Sequence, residues 1–144
     1  MLKKSLFSLF AIAVLATVSF AQKVYTPTKG SAERTAILST LRFPVEKELK
    51  QKIQFSVENF KSNGTWAFLS GDPQNMKGGR PNYKGTEYQE AIDADMFDNN
   101  FFALMKKTSG KWKVVTYAIG CTDVCYLNWW KEYKAPKAIF PYTE

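Results

Sequence analysis

FFALMKKTSGKWKVVTYAIGCTDVCYLNWW, residues 101–130, is the stretch whose reading decides the fold. Residues 101–105 are apolar on both faces of an extended chain, and Lys106 and Lys107 make the end of the run polar. Thr108-Ser109-Gly110 is turn chemistry, because glycine accepts positive φ without steric cost. Residues 111–119 follow, rich in the β-branched and aromatic side chains that suit a pleated surface. Two such runs with a glycine between them predict a β-hairpin. By strict alternation Trp112, Val114, Thr116 and Ala118 share one face, and Lys113, Val115, Tyr117 and Ile119 share the other. Neither face is cleanly polar, so this strand is expected to be central in its sheet and covered on much of both sides.

Working back from the hairpin, residues 53–58 alternate as a half-buried strand does. Ser62-Asn63-Gly64 is a strong hairpin turn, and residues 65–70 form its return strand. Residues 71–85 hold two prolines and four glycines, which predicts a long irregular loop. Residues 91–100 carry three aspartates, read as a solvated acidic loop and not as a metal site. Further upstream, Ile37, Leu41, Val45 and Leu49 recur every four residues and make one buried helical stripe. Pro44 in a helix interior costs about 3 kcal/mol, so the helix is expected to kink or split there. Arg34 and Arg42 flank the stripe, with stems on apolar surface and heads seeking a carboxylate.

The first 21 residues read as a secretory signal peptide. Lys3 and Lys4 precede an apolar run, and Ser19-Phe20-Ala21 predicts cleavage between Ala21 and Gln22. The apolar run is shorter than the ~20 residues a spanning helix needs, so no stable membrane insertion is expected after cleavage. Residues 22–144 then form a single domain with a flexible leader over 22–30, placed in the periplasm or secreted. Removing Lys3 and Lys4 from 20 cations, against 13 acids, leaves the mature chain at +5. The cations are spread along the chain instead of forming a block, which argues against nucleic acid as a partner.

Several chemistries are excluded by composition. The chain has no histidine. Histidine-based nucleophile pairs, histidine zinc sites and haem attachment are therefore out. Two cysteines cannot build a four-cysteine zinc site, and no phosphate-binding loop is present. No cofactor or metal is expected. Cys121 and Cys125 in an exported chain read as a disulfide that fixes a short loop.

Two site readings follow from the C-terminal third. Thr122 and Asp123 are expected to sit at the start of a helix over residues 124–133, Asp123 either capping that helix or pairing with Arg34 or Arg42. The competing reading makes Asp123 an acid/base residue in a pocket beside Tyr117 and Tyr126. Trp129 and Trp130 are adjacent on that helix, so both cannot face the core, and one is expected to form a surface contact site.

Arg34-x-x-Ile37-Leu38-x-x-Leu41-Arg42, Trp66-Ala67-Phe68, Trp112-x-Val114-Val115 and Gly120-x-Thr122-Asp123-Val124, with Trp130 beyond, together form a pattern across nearly the whole mature chain. It resembles a group of small exported bacterial proteins of unknown function. The cysteines that bracket Thr122-Asp123-Val124 depart from that group. The element order is also similar to cystatin-like and nuclear-transport-factor-2-like folds, an analogy of fold that licenses no activity. The resemblance brings no catalytic residues.

The expected architecture is α+β, with an N-terminal helix packed on a curved antiparallel sheet of four to five strands and a short C-terminal helix. The expected role is a non-catalytic binding or accessory module of the cell envelope, engaging an envelope protein or a glycan. The alternative is a small carboxylate-dependent enzyme with its pocket near Asp123.

Overall fold

A computed structural model describes residues 22–144. The signal-peptide reading of residues 1–21 lies outside the described residues. Helix α1 spans Ala32–Leu49, strands β1 and β2 span Ile53–Ser62 and Trp66–Asn75, and a short helix α2 spans Gln89–Asp93. Strands β3, Phe101–Thr108, and β4, Lys111–Ile119, are followed by α3, Trp129–Glu132, and a 3-10 turn at Lys137–Ile139. The four strands form one antiparallel sheet in the order β1-β2-β3-β4, so β4, expected to be central, is an edge strand, and its two apolar faces are partly covered by α1 and by the C-terminal segment. The α+β class, the N-terminal helix and the short C-terminal helix are as the sequence predicts.

Both faces of the sheet are covered. On one side lies α1, through Ile37, Leu41, Val45 and Leu49, against Phe60, Leu69, Phe101, Met105 and Trp112. On the other side Phe68 and Leu104 meet Tyr126, Trp129, Ile139 and Phe140 from the C-terminal segment. Strands β2 and β3 alternate cleanly between these two cores. Ala67 and Leu69 point to the helix, while Phe68 points away; Ala103 and Met105 point to the helix, while Leu104 points away.

Helix α1 runs through Pro44 without a break in its span. The proline lies one position off the buried stripe, and Leu41 and Val45 on either side of it are each fully buried. Burial continuous through both turns outweighs the one backbone hydrogen bond a proline removes. Ser31 caps the N-terminus, its hydroxyl accepting from the Arg34 amide at 3.2 Å.

The strand β2 extends to Asn75, well into the segment predicted to be loop. Pro73 is tolerated because β2 pairs with β3 only as far as Gly71↔Phe101. Beyond that point the missing N–H faces no strand, and the Asn99 side-chain amide donates to the Pro73 carbonyl at 3.2 Å. Gly71 itself sits against the β1 bulge between Val57 and Asn59. A Cβ there would lie 3.0 Å from the Glu58 amide nitrogen and closer still to the Ser56 carbonyl oxygen.

The second bulge changes the faces of β4. Leu104 pairs with Thr116 but Met105 pairs with Val114, so Val115 is the extra residue. Past it the alternation reverses. Trp112, Val114, Tyr117 and Ile119 all join the helix-side core, and Val115 and Ala118 join the other. The strict alternation read from sequence placed Tyr117 opposite Trp112. The bulge corrects this, because one inserted residue moves every later side chain to the other face.

Residues 22–30, read as a flexible leader, are tied to the domain. Tyr25 and Ser62 exchange backbone hydrogen bonds of 2.9 and 2.8 Å, and Pro27 is buried. The Tyr25 hydroxyl donates to the Glu33 carboxylate at 2.8 Å.

Gly71→Ala is expected to destabilise the domain by at least about 2 kcal/mol, since the new methyl meets backbone and not a movable side chain. Urea unfolding of residues 22–144 measures it. A change near zero would mean that the β1 bulge opens freely.

Candidate functional site

The C-terminal turn of α1 gathers a polar cluster that joins three distant parts of the chain. Glu48 lies in that turn, half-buried and directed toward the sheet. One carboxylate oxygen accepts from the Tyr88 hydroxyl and the other from the Tyr117 hydroxyl. Tyr117 reaches it only because the Val115 bulge turns that residue to the helix side. Tyr88 arrives from the segment before α2.

That segment is moored to the same helix end at a second point. The Gln51 side chain donates to the Asn82 carbonyl at 2.7 Å and accepts from the Asn82 amide at 3.0 Å. Behind it, Tyr83 is buried and donates to Asn99 Oδ1 at 2.7 Å. The Arg80 guanidinium lies 5.4 Å from the Tyr83 ring and 5.3 Å from the Phe97 ring, within cation–π range of both. The irregular stretch between β2 and β3 is thus a packed wall.

The electrostatics follow from burial around one carboxylate. Burial first, and then the hydrogen bond to Glu48, push the Tyr88 and Tyr117 hydroxyls well above the ordinary phenol range. Burial pushes Tyr83 up to about 12, with Arg80 opposing and Asp72 adding to the rise. Glu87, exposed beside this group, has its carboxyl raised by a hydrogen bond to Glu48 and then by repulsion from it. Glu48 thus accepts from both tyrosines, and Glu87 is the member of the carboxyl pair that meets solvent.

Two surface hollows flank this cluster. One, of about 500 Å³, is lined by Phe43, Glu46, Lys47, Lys50, Gln51 and Lys52. The other, of about 390 Å³, is lined by Glu87, Glu90, Ala91, Ala94 and Met96. Each holds a conspicuously exposed apolar side chain, Phe43 at 76% and Met96 at 66%. Sequence reasoning did not reach this face. Phe43 adjoining two lysines one and two turns on was a readable signal, but the pairing of Glu48 with Tyr88 and Tyr117 was not.

The residues singled out from sequence lie elsewhere. Cys121 and Cys125 are at disulfide distance, Cα–Cα 6.2 Å, and close an exposed loop. Asn100 holds that loop by donating to the Cys121 carbonyl at 2.7 Å and accepting from its amide at 3.0 Å. Thr122 and Asp123 are exposed on the loop and cap no helix. The predicted helix over 124–133 is reduced to Trp129–Glu132, because a loop tethered at both cysteines leaves residues 125–128 in turns.

Asp123 Oδ1 accepts from the Val124 amide at 2.7 Å, and no ion pair joins it to an arginine among the described residues. Arg34 donates instead to the Pro27 carbonyl at 3.1 Å and covers the Phe60 ring at 4.8 Å. Arg42 is half-buried, and its Nε has no partner among the described residues. Trp129 is buried at 7% exposure, and Trp130 is half-buried with the Lys137 ammonium 3.8 Å from its ring centroid. Trp129 is packed in the core, and Trp130 keeps part of its ring at the surface beneath Lys137. The two adjacent indoles are both accommodated because the 3-10 turn and its flanks fold back over them.

Tyr117→Phe removes one of the two donors to a half-buried carboxylate. It is expected to cost about 1.5–3 kcal/mol in equilibrium unfolding. For Glu87 the sign follows from its raised folded value. The folded chain holds that proton more tightly than the unfolded chain, so stability is present below the ordinary carboxylate range and is lost as pH rises through the raised value. Glu87→Gln is therefore expected to melt higher than wild type at neutral pH, with the difference closing as the solution is acidified. Parallel melting curves that never converge would contradict the Glu48–Glu87 coupling.

Comparison with protein-family models, with curated protein sequences and with solved structures finds no match to this chain in any of the three.

Proposed function

We propose that this chain is exported and serves as a non-catalytic binding or accessory module of the cell envelope, engaging its partner through the face at the C-terminal end of α1. The observation that carries the reading is Phe43. An aromatic ring left 76% exposed, in a hollow rimmed by lysines, is an unfilled contact site on a domain whose other large rings are mostly packed. Export is supported by the signal-like pattern of residues 1–21 and by the disulfide-distance cysteine pair. Among the described residues no helix is long and apolar enough to cross a membrane.

The carboxylate-enzyme alternative required Asp123 to face inward and stand unpaired. Asp123 is exposed and its carboxylate accepts from a backbone amide, so that reading loses its support. Of Trp129 and Trp130, one of which was expected to form the contact surface, Trp129 is buried and Trp130 half-buried beneath Lys137, and the contact moves to the far more exposed Phe43.

A photo-crosslinking amino acid placed at Phe43, in cells that export the protein, tests the reading. A covalent adduct is expected at position 43, absent when Tyr142 carries the crosslinker instead, and lost on Lys47→Glu. Position 43 giving no adduct of any mass would end the proposal.

A further inference from the structure

The two hollows beside Glu48 are chemical complements of one another. In the first, Glu46 is occupied, its carboxylate held by Lys52 at 3.0 Å and by the Ile53 amide at 3.2 Å. Lys47 and Lys50 take part in no ion pair among the described residues, so the rim around Phe43 is cationic. In the second, Glu87 and Glu90 are exposed and stand around Met96, so that rim is anionic. A protruding methionine beside acids is the shape and charge that a phenylalanine hollow beside lysines would accept, and thioether–aromatic contact is favourable in its own right.

The two hollows also belong to the same layer, since α1 and the segment carrying Tyr88, Ile92 and Phe97 both pack on the helix side of the sheet. Glu48, in the same helical turn as Lys47, hydrogen-bonds Tyr88, and Tyr88 is adjacent in sequence to Glu87. Gln51, which lines the cationic hollow, is bonded to Asn82 of the segment leading to the anionic one. Adjacent patches of opposite charge on one face are what a twofold-symmetric contact needs, because a half-turn places each patch on its opposite in the second copy.

We infer that the occupant of this face is a second copy of the chain, in a twofold dimer that seats Met96 of each copy against Phe43 of the other, with Lys47 and Lys50 facing Glu87 and Glu90. This rests on the proposal that the α1 C-terminal face is a contact surface, and it names the partner.

Sedimentation equilibrium of residues 22–144 tests it, with variants confined to exposed side chains so that the fold is kept, as circular dichroism checks. Wild type is expected to self-associate, and less strongly at about 1 M salt, where charges are screened beyond about 3 Å. Lys47→Glu with Lys50→Glu should weaken association about a hundredfold or more, as like charges then face each other. Glu87→Lys with Glu90→Lys should do the same, and an equimolar mixture of the two variants should re-form dimers. A wild-type monomer at every concentration, or a dimer indifferent to both reversals, would overturn the inference. The crosslink at position 43 separates this from the broader reading. A monomeric protein whose position 43 still yields adducts to another envelope component loses the dimer alone, whereas a monomer with no adduct loses both.

Discussion

Glu48 places a carboxyl group in the last turn of an 18-residue helix, where the free carbonyls already make the environment electronegative. The core stripe of Ile37, Leu41, Val45 and Leu49 presses that turn onto the sheet, so the carboxylate cannot swing fully into water. It must find donors, and the two it finds come from distant parts of the chain, Tyr88 and Tyr117. Much of the architecture at this end of the molecule follows from that requirement. The segment before α2 is held because its tyrosine is committed, and the far part of β4 is held because its tyrosine is committed. Glu87 is left at the surface beside a charge of its own sign.

The Val115 bulge is what makes the capture geometrically available. Without it Tyr117 would point at the C-terminal segment, among Phe68, Tyr126 and Phe140, and Glu48 would keep one donor. The same device serves β1, where the extra residue between Val57 and Asn59 returns Phe60 to the helix side. Gly71 supports that bulge from the neighbouring strand by having no side chain to collide with it. Register, in this sheet, is therefore tied to two inserted residues and one glycine.

Charge at the surface follows from the same arrangement. Because the loop carrying Tyr88 is drawn to the end of α1, an acidic segment of the chain comes to rest beside a basic helical turn. The two do not neutralise each other within the molecule. Their apolar centres, Phe43 and Met96, stay exposed. A fold that leaves matched patches adjacent and unpaired keeps them available for contact between molecules.

How much of this was legible in the sequence depends on the range of the interactions that decide it. The helical stripe, the Asn63-Gly64 and Ser109-Gly110 turns and the run of apolar strands are local patterns of period and turn chemistry, and they determined the α+β class, the order of elements and the two-sided burial of the sheet. The site was decided elsewhere. Whether Val115 is bulged depends on how β4 pairs with β3, and that choice alone sends Tyr117 to Glu48 or away from it. Whether Trp129 and Trp130 are exposed depends on where residues after 134 fold back, which no local period encodes. Sequence by itself determined the long helix and the two hairpins, because those are choices within a few neighbouring residues, but not how far β2 runs or how little of residues 124–133 is helical. Only the tertiary structure decided which side chains meet, because one residue of register between distant strands is enough to exchange the faces of everything beyond it.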